Sequence, residues 1–172
     1  MSALPIKLLV LDVDGVLTDG GITVNADGSQ SVTFHVRDGA GIKYLQQNGV
    51  PVAILSGRNI PAVAARAREL GIEDVLQGNL AKAGPWEQLL QKHKLQDAEA
   101  AYIGDDVADI PLLRRAGWSA APSDATEEAR SAAKHVLKAA GGRGAVREAA
   151  EAILRAQGKW ASVVESFGGA KR

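Results

Sequence analysis

Short apolar runs, broken by turn residues and spaced by longer amphipathic stretches, set the rhythm of this chain. Residues 6–11, Ile-Lys-Leu-Leu-Val-Leu, form a run rich in β-formers that stops abruptly at acidic and glycine residues, which predicts a buried strand. Residues 22–24 and 32–36 flank Asn25-Ala26-Asp27-Gly28-Ser29 and predict a β-hairpin with a loop longer than two residues. Beyond it the pattern alternates between helix and strand. Helices are expected over 39–48, stopped by Gly49, and over 60–70, with Pro61 in the first turn and Gly71 past the end. Further helices are expected over 85–93, over 110–116 and over 144–156. Strands are expected at 50–55, 75–76, 100–103, 119–121 and 135–137, with a helix between the last two. Residues 157–172 read as a tail that frays or docks on a partner.

Alternation of this kind builds βαβ units. The expected fold is therefore α/β: a Rossmann-like, mainly parallel sheet with helices on both faces and a small hairpin after the first strand. A length of 172 residues suits one domain over 1–172. Hydrophobic residues at 46% and charged residues at 23% are ordinary for a globular chain. With 20 basic and 20 acidic residues the formal net charge is +0, which removes any net-charge argument for nucleic acid or an anionic membrane as a partner. The absence of cysteine excludes a disulfide scaffold, a thiolate metal site and a cysteine nucleophile. No apolar run approaches the roughly 18 residues of a membrane span, and the start at Met1 carries no signal-peptide pattern, so a cytoplasmic protein is expected.

In an open parallel sheet, ligands bind outside the carboxyl ends of the strands. The first strand ends in Asp12-Val13-Asp14-Gly15, the second in Ser56-Gly57-Arg58, and the strand at 100–103 in Gly104-Asp105-Asp106, with Asp109 one turn on. A single Asp here is an ordinary turn or capping residue. The whole set is not, because up to five carboxylates on one edge repel strongly unless a hard divalent cation such as Mg²⁺ joins them. The spacing of Asp12 and Asp14 allows one carboxylate to attack an electrophile and the other to carry the leaving group's proton. Ser56 can hydrogen-bond a transferring phosphoryl group, and Lys82 can neutralise charge on it.

These residues resemble, in order, the four motifs of the haloacid dehalogenase superfamily: Asp12-Val13-Asp14-Gly15-Val16-Leu17-Thr18-Asp19-Gly20, Leu55-Ser56-Gly57-Arg58, Lys82, and Gly104-Asp105-Asp106-Val107-Ala108-Asp109. Phe34-His35-Val36-Arg37-Asp38-Gly39, Gly141-Gly142-Arg143-Gly144-Ala145-Val146-Arg147-Glu148 and Ala156-Gln157-Gly158-Lys159-Trp160 are similar to segments of its 3-deoxy-D-manno-octulosonate 8-phosphate phosphatases. The resemblance implies a Mg²⁺-dependent phosphomonoester hydrolase working through an aspartyl phosphate. It implies Asp12 as nucleophile and metal ligand and Asp14 as acid/base with its backbone carbonyl on the metal. It implies Asp105 as third ligand, with Asp106 and Asp109 in support, and Ser56 and Lys82 on the phosphoryl group. Sugar-acid contacts are implied at Asp14, His35, Val36, Arg37, Asp38, Gly39, Lys43, Arg58, Arg66 and Lys82. His35 stands where the family usually has Asn, and Lys43 where Arg is common. Relatives acting on nine-carbon acids tend to carry Glu at the position of Arg58 and Lys at that of Glu69, which favours the eight-carbon substrate here. A nine-carbon acid and a silent oligomeric scaffold stand as alternatives.

Neither gap between motifs has room for a cap domain. An uncapped site needs either a large substrate or a neighbouring subunit to close it, and a lone two-stranded hairpin, marginal in water, favours the neighbour. The resembled family is tetrameric through such hairpins, lipopolysaccharide precursor synthesis being its usual setting. A homotetramer is expected here, with the loop 141–144 and the tail from Gln157 shaping a neighbour's pocket.

Overall fold

The computed structural model describes residues 6–168. Its centre is β1 (Leu8–Leu11), whose four residues are all buried. The chain then makes a small antiparallel hairpin of β2 (Thr23–Val24) and β3 (Gln30–Ser31), pairing Thr23 with Ser31 and Val24 with Gln30. It continues through α1 (Val36–Gln47), β4 (Val52–Leu55), α2 (Pro61–Leu70), β5 (Asp74–Leu76) and α3 (Ala83–His93). There follow β6 (Ala100–Ile103), a one-turn 3₁₀ segment at Val107–Asp109, α4 (Ile110–Arg115), β7 (Trp118–Ala121), α5 (Glu127–Ala132), β8 (His135–Val136), α6 (Ala145–Ala156) and α7 (Trp160–Ser166).

The six-stranded sheet has the order β5-β4-β1-β6-β7-β8, and every pairing in it is parallel. Successive residues of β1 serve opposite layers, as strand geometry requires. Leu9 and Leu11 join Ile42, Leu45, Val146 and Ile153, which places α1 and α6 on one face. Leu8 and Val10 join Trp86, Tyr102 and Leu112, which places α3 and α4 on the other. The order reverses at β1: the chain builds outward through β4 and β5, then returns to lay β6 on β1's other side. Leu11 is level with Ile54 and with Ile103. Asp12, Ser56 and the segment from Gly104 therefore leave neighbouring strands at one edge, at the switch point where such sheets bind ligands.

Two local expectations need correction. Residues 32–36 do not continue the hairpin. Val32 and Phe34 turn inward to pack on the core, and His35 caps α1 by accepting from the Arg37 backbone N–H. The helix consequently starts at Val36, three residues before the expected Gly39. Residues 157–168 are ordered against their own chain. Lys159 Nζ donates to the Asn48 carbonyl at 2.7 Å, and Trp160 packs edge-on against Tyr44. The remaining four residues of the predicted tail lie outside the described residues. The loop 141–144 lies on the turn after β1: Gly142 N donates to Val16 O at 2.9 Å and Arg143 pairs with Asp19 at 3.1 Å.

Candidate active site

Asp12 follows the last residue of β1, and Lys82 caps the N-terminus of α3 after the loop that leaves β5. Lys82 Nζ reaches back over the sheet edge to Asp12 Oδ2 at 2.8 Å and to Asp109 Oδ1 at 2.5 Å, with all three side chains almost wholly buried. Burial works to lower the Lys82 pKa, but Asp12 and Asp109 outweigh it and hold the ammonium charged.

Asp109 spends every lone pair it can on the protein. Its Oδ1 also accepts from the Tyr102 hydroxyl at 2.6 Å, and its Oδ2 accepts from the backbone N–H groups of Asp105 and Asp106 at 2.9 and 3.1 Å. Gly104 makes this possible, because a Cβ there would lie 2.4 Å from Asp109 Cβ. Asp109 thus fixes the backbone that carries Asp105 and holds Lys82 in place.

Carboxylate oxygens of Asp12, Asp105 and Asp109 lie within 4.8 Å of one another. One lysine cannot balance three negative charges. Burial pushes the Asp12 carboxyl up to about 6, Asp109 adding to the rise against the pull of Lys82. Burial, then Asp12 and Asp109, push Asp105 up to about 7. With Asp109 saturated by hydrogen bonds, Asp12 and Asp105 are the donors left for a cation. The backbone accommodates that pair closely: Gly15 has φ 73°, and a Cβ on it would sit 2.0 Å from Asp105 Oδ2. Hard oxygen donors with a local excess of negative charge suit Mg²⁺.

The remaining groups surround this pair. Asp14 Oδ1 accepts from Arg58 Nη1 at 3.0 Å, while Arg58 Nη2 donates to Gln30 Oε1 of the hairpin at 2.6 Å. Ser56 is fully buried, and its Oγ accepts from the Arg58 backbone N–H at 3.2 Å. The structure therefore gathers Asp12, Asp14, Ser56, Arg58, Lys82 and Asp105 at one edge.

The other expected substrate contacts form a second group. His35, Val36, Arg37, Asp38 and Gly39 lie on the first turn of α1 and its cap. Arg66 crosses Gly39, where a Cβ would meet its Nη2 at 2.5 Å, and pairs with Glu69 at 2.8 Å. Lys43 Nζ lies against Gly71, past the far end of α2, about 15 Å along that helix from its start beside the site. Among the described residues, no hydrogen bond or ion pair joins this group to the acidic edge. The Asp38 side chain is buried and turned to α6, accepting from Gly144 N at 3.2 Å and Arg147 N at 2.8 Å. Burial raises its pKa against the pull of those two bonds.

Sequence reasoning missed Tyr102 and Gln30. A tyrosine inside an all-buried strand was the available signal, since its hydroxyl needs a partner. Nothing in the sequence pointed to Gln30.

Residues 34–117 match the model of the haloacid dehalogenase-like hydrolases. The chain is 44% identical over 154 residues to the 3-deoxy-D-manno-octulosonate 8-phosphate phosphatase of Haemophilus influenzae, covering 90% of this chain and 86% of that one. It is 42% identical to the Escherichia coli K12 enzyme of the same name, over 90% of this chain and 82% of that one. Among solved structures, it resembles the Moraxella catarrhalis phosphatase in complex with magnesium ion, phosphate ion and KDO, with TM-score 0.94, 38% identity, and coverage of 95% of this chain and 94% of that one. A cobalt-bound phosphatase structure from H. influenzae matches with TM-score 0.91 and 41% identity over 95% of this chain and 96% of that one. With its fold, its acidic edge and these relatives in agreement, the chain belongs to the 3-deoxy-D-manno-octulosonate 8-phosphate phosphatase family of haloacid dehalogenase-like hydrolases.

Proposed function

We propose that this protein removes the phosphate of 3-deoxy-D-manno-octulosonate 8-phosphate in a Mg²⁺-dependent reaction through an aspartyl phosphate on Asp12. The observation that carries the reading is the placement of Asp12 at the end of the central strand, held by Lys82 and faced by Asp105. Asp12, Asp105 and the backbone carbonyl of Asp14 would hold Mg²⁺, which when bound neutralises the carboxylates and the phosphoryl oxygens.

An Asp12 oxygen forms a bond to phosphorus as the bond from phosphorus to the sugar oxygen breaks. Asp14 gives its proton to that departing oxygen, a role that Arg58 supports by fixing the carboxyl's orientation. Asp14 then takes a proton from water, the hydroxyl bonds to phosphorus, and the Asp12–phosphorus bond breaks to release phosphate. Lys82 and Ser56 hold the phosphoryl oxygens during both steps. In this proposal the Arg58 guanidinium, beside Asp14, also attracts the substrate carboxylate.

The protein works, in this proposal, as a cytoplasmic homotetramer whose partners are its own copies and a sugar-acid phosphate, with no nucleic acid or membrane. The exposed hairpin supports this, since Ile22 and Val24 are 45% and 66% exposed on one chain, as does Val36 at the start of α1, 77% exposed. In this proposal His35, Arg37, Lys43 and Arg66, which make no hydrogen bond or ion pair with the acidic edge among the described residues, serve a neighbour's site. Phosphate release from 3-deoxy-D-manno-octulosonate 8-phosphate, with Mg²⁺ and with chelator, tests the activity. A kcat/KM of roughly 10⁴ M⁻¹s⁻¹ or more is expected. Faster turnover of a nine-carbon acid phosphate would replace the substrate and keep the chemistry.

A further inference from the structure

We propose that Asp38 is a positioning residue for the turn that carries Asp14, acting through the loop 141–144, and does not grip substrate with its side chain. The inference rests on the phosphatase reading above.

The Asp38 carboxylate has both oxygens engaged inside its own chain. Oδ2 accepts from Gly144 N, and Oδ1 accepts from Arg147 N in the first turn of α6. Only 1% of the residue is exposed, which leaves no oxygen open to a ligand. The loop it anchors runs directly onto the catalytic turn. Gly142 N donates to Val16 O at 2.9 Å, and Gly141 lies so close that a Cβ there would be 1.9 Å from Gly15 O. Gly141 N donates to Asp124 Oδ1 at 2.9 Å, and Arg143 Nη2 donates to Asp19 Oδ2 at 3.1 Å. Val13 O closes the other side of the turn by accepting from the N–H groups of Val16, Leu17 and Thr18. Asp14 therefore sits in a turn gripped between its own hydrogen bonds and a loop whose far end is tied to α1 by Asp38. Gly142 has φ 59° and Gly144 φ 110°, conformations open to glycine at little cost, so the loop keeps its path only while these ties hold. Release of Asp38 would let Gly141 and Gly142 draw back from Gly15 and Val16. Asp14 would then lose its alignment on the leaving oxygen, whereas Asp12, held by Lys82, would not.

A displaced acid has a chemical signature. Expelling an alkoxide from a sugar phosphate needs the Asp14 proton, and expelling p-nitrophenolate does not. The test compares kcat/KM of Asp38→Asn on 3-deoxy-D-manno-octulosonate 8-phosphate and on p-nitrophenyl phosphate, with Asp14→Asn as reference. Asn keeps the shape but places an amide against a backbone N–H. The expected result is a kcat/KM lowered about 10–100-fold on the sugar phosphate, carried by kcat with KM within about twofold, and a kcat/KM on p-nitrophenyl phosphate nearly unchanged, since that ratio reports the first transfer and not the later step in which Asp14 takes a proton from water. Asp124→Ala, which releases Gly141 N from the same loop's other anchor, should give the same pattern and keeps the test alive should Asp38→Asn not fold. Equal losses on both substrates, or a raised KM at unchanged kcat on the sugar phosphate, would overturn the proposal. Should Asp14→Asn itself lose kcat/KM equally on both substrates, the assignment of Asp14 as the acid falls and the proposal with it.

Discussion

Replacing Asp105 by Asn should stabilise the metal-free protein while removing its activity. Burial and the charges of Asp12 and Asp109 push the Asp105 carboxyl from an ordinary 3.8 up to about 7. At about 1.4 kcal/mol per pKa unit, holding it ionised at pH 8 costs about 4 kcal/mol relative to the unfolded chain. The folded pKa lies above the unfolded one, so the folded protein binds the extra proton between about pH 4 and 7. Its metal-free stability therefore falls as pH rises through that window and levels off above it. Asn keeps the shape without the charge and should recover about 2–4 kcal/mol at pH 8, less at pH 5. For a chain of this size that is a rise in Tm of about 4–16 °C. Calorimetric melts in chelator at pH 5 and pH 8 measure it directly. Mg²⁺ should raise the Tm of the wild type at pH 8 and leave Asp105→Asn unmoved. A variant no more stable than wild type at pH 8 in chelator, or a wild-type Tm that climbs from pH 5 to 8, would refute the reasoning.

Lys82→Met should strand Asp12 and Asp109 without their buried cation, lowering stability by about 3–5 kcal/mol in melts at neutral pH. Its kcat/KM should fall at least about 100-fold in a phosphate-release assay. Gly15→Ala places a methyl group where Asp105 Oδ2 now lies, at a backbone φ of 73°. Isothermal titration should show Mg²⁺ affinity reduced at least about tenfold. Val24→Asp puts a charge on an exposed apolar hairpin position, and sedimentation should show the proposed homotetramer dissociating. A monomeric wild type at working concentration would contradict the assembly.

The acidic edge was legible because strand-end carboxylates need only adjacent parallel strands to bring them together. The alternation of patterns implied a parallel sheet but no strand order, and the structure adds it, with Leu11 level with both Ile54 and Ile103. The path of residues 32–36 was not legible. Val32, Phe34 and Val36 alternate as a strand does, but tertiary packing claims Val32 and Phe34 for the core and leaves Val36 to open a helix. Asp109 was read as support, and the structure adds the reason: Lys82, Tyr102 and two backbone N–H groups saturate it. Asp38 shows the limit of reading a motif. It lies among residues implied to touch substrate, yet its partners are Gly144 and Arg147, more than a hundred positions away. No local pattern encodes a bond of that span. The helix inside the tail was not legible for a similar reason, since Trp160 and Val163 find their burial against α1 and α6 only once those helices have packed.

The most direct measurement is acid quench of the protein during turnover of 3-deoxy-D-manno-octulosonate 8-phosphate with Mg²⁺, followed by mass spectrometry of the peptide that carries Asp12. A phosphoryl adduct on Asp12 is expected, absent in Asp12→Asn together with phosphate release. An adduct on another residue, or full phosphate release by Asp12→Asn, would contradict the assignment of Asp12 as nucleophile.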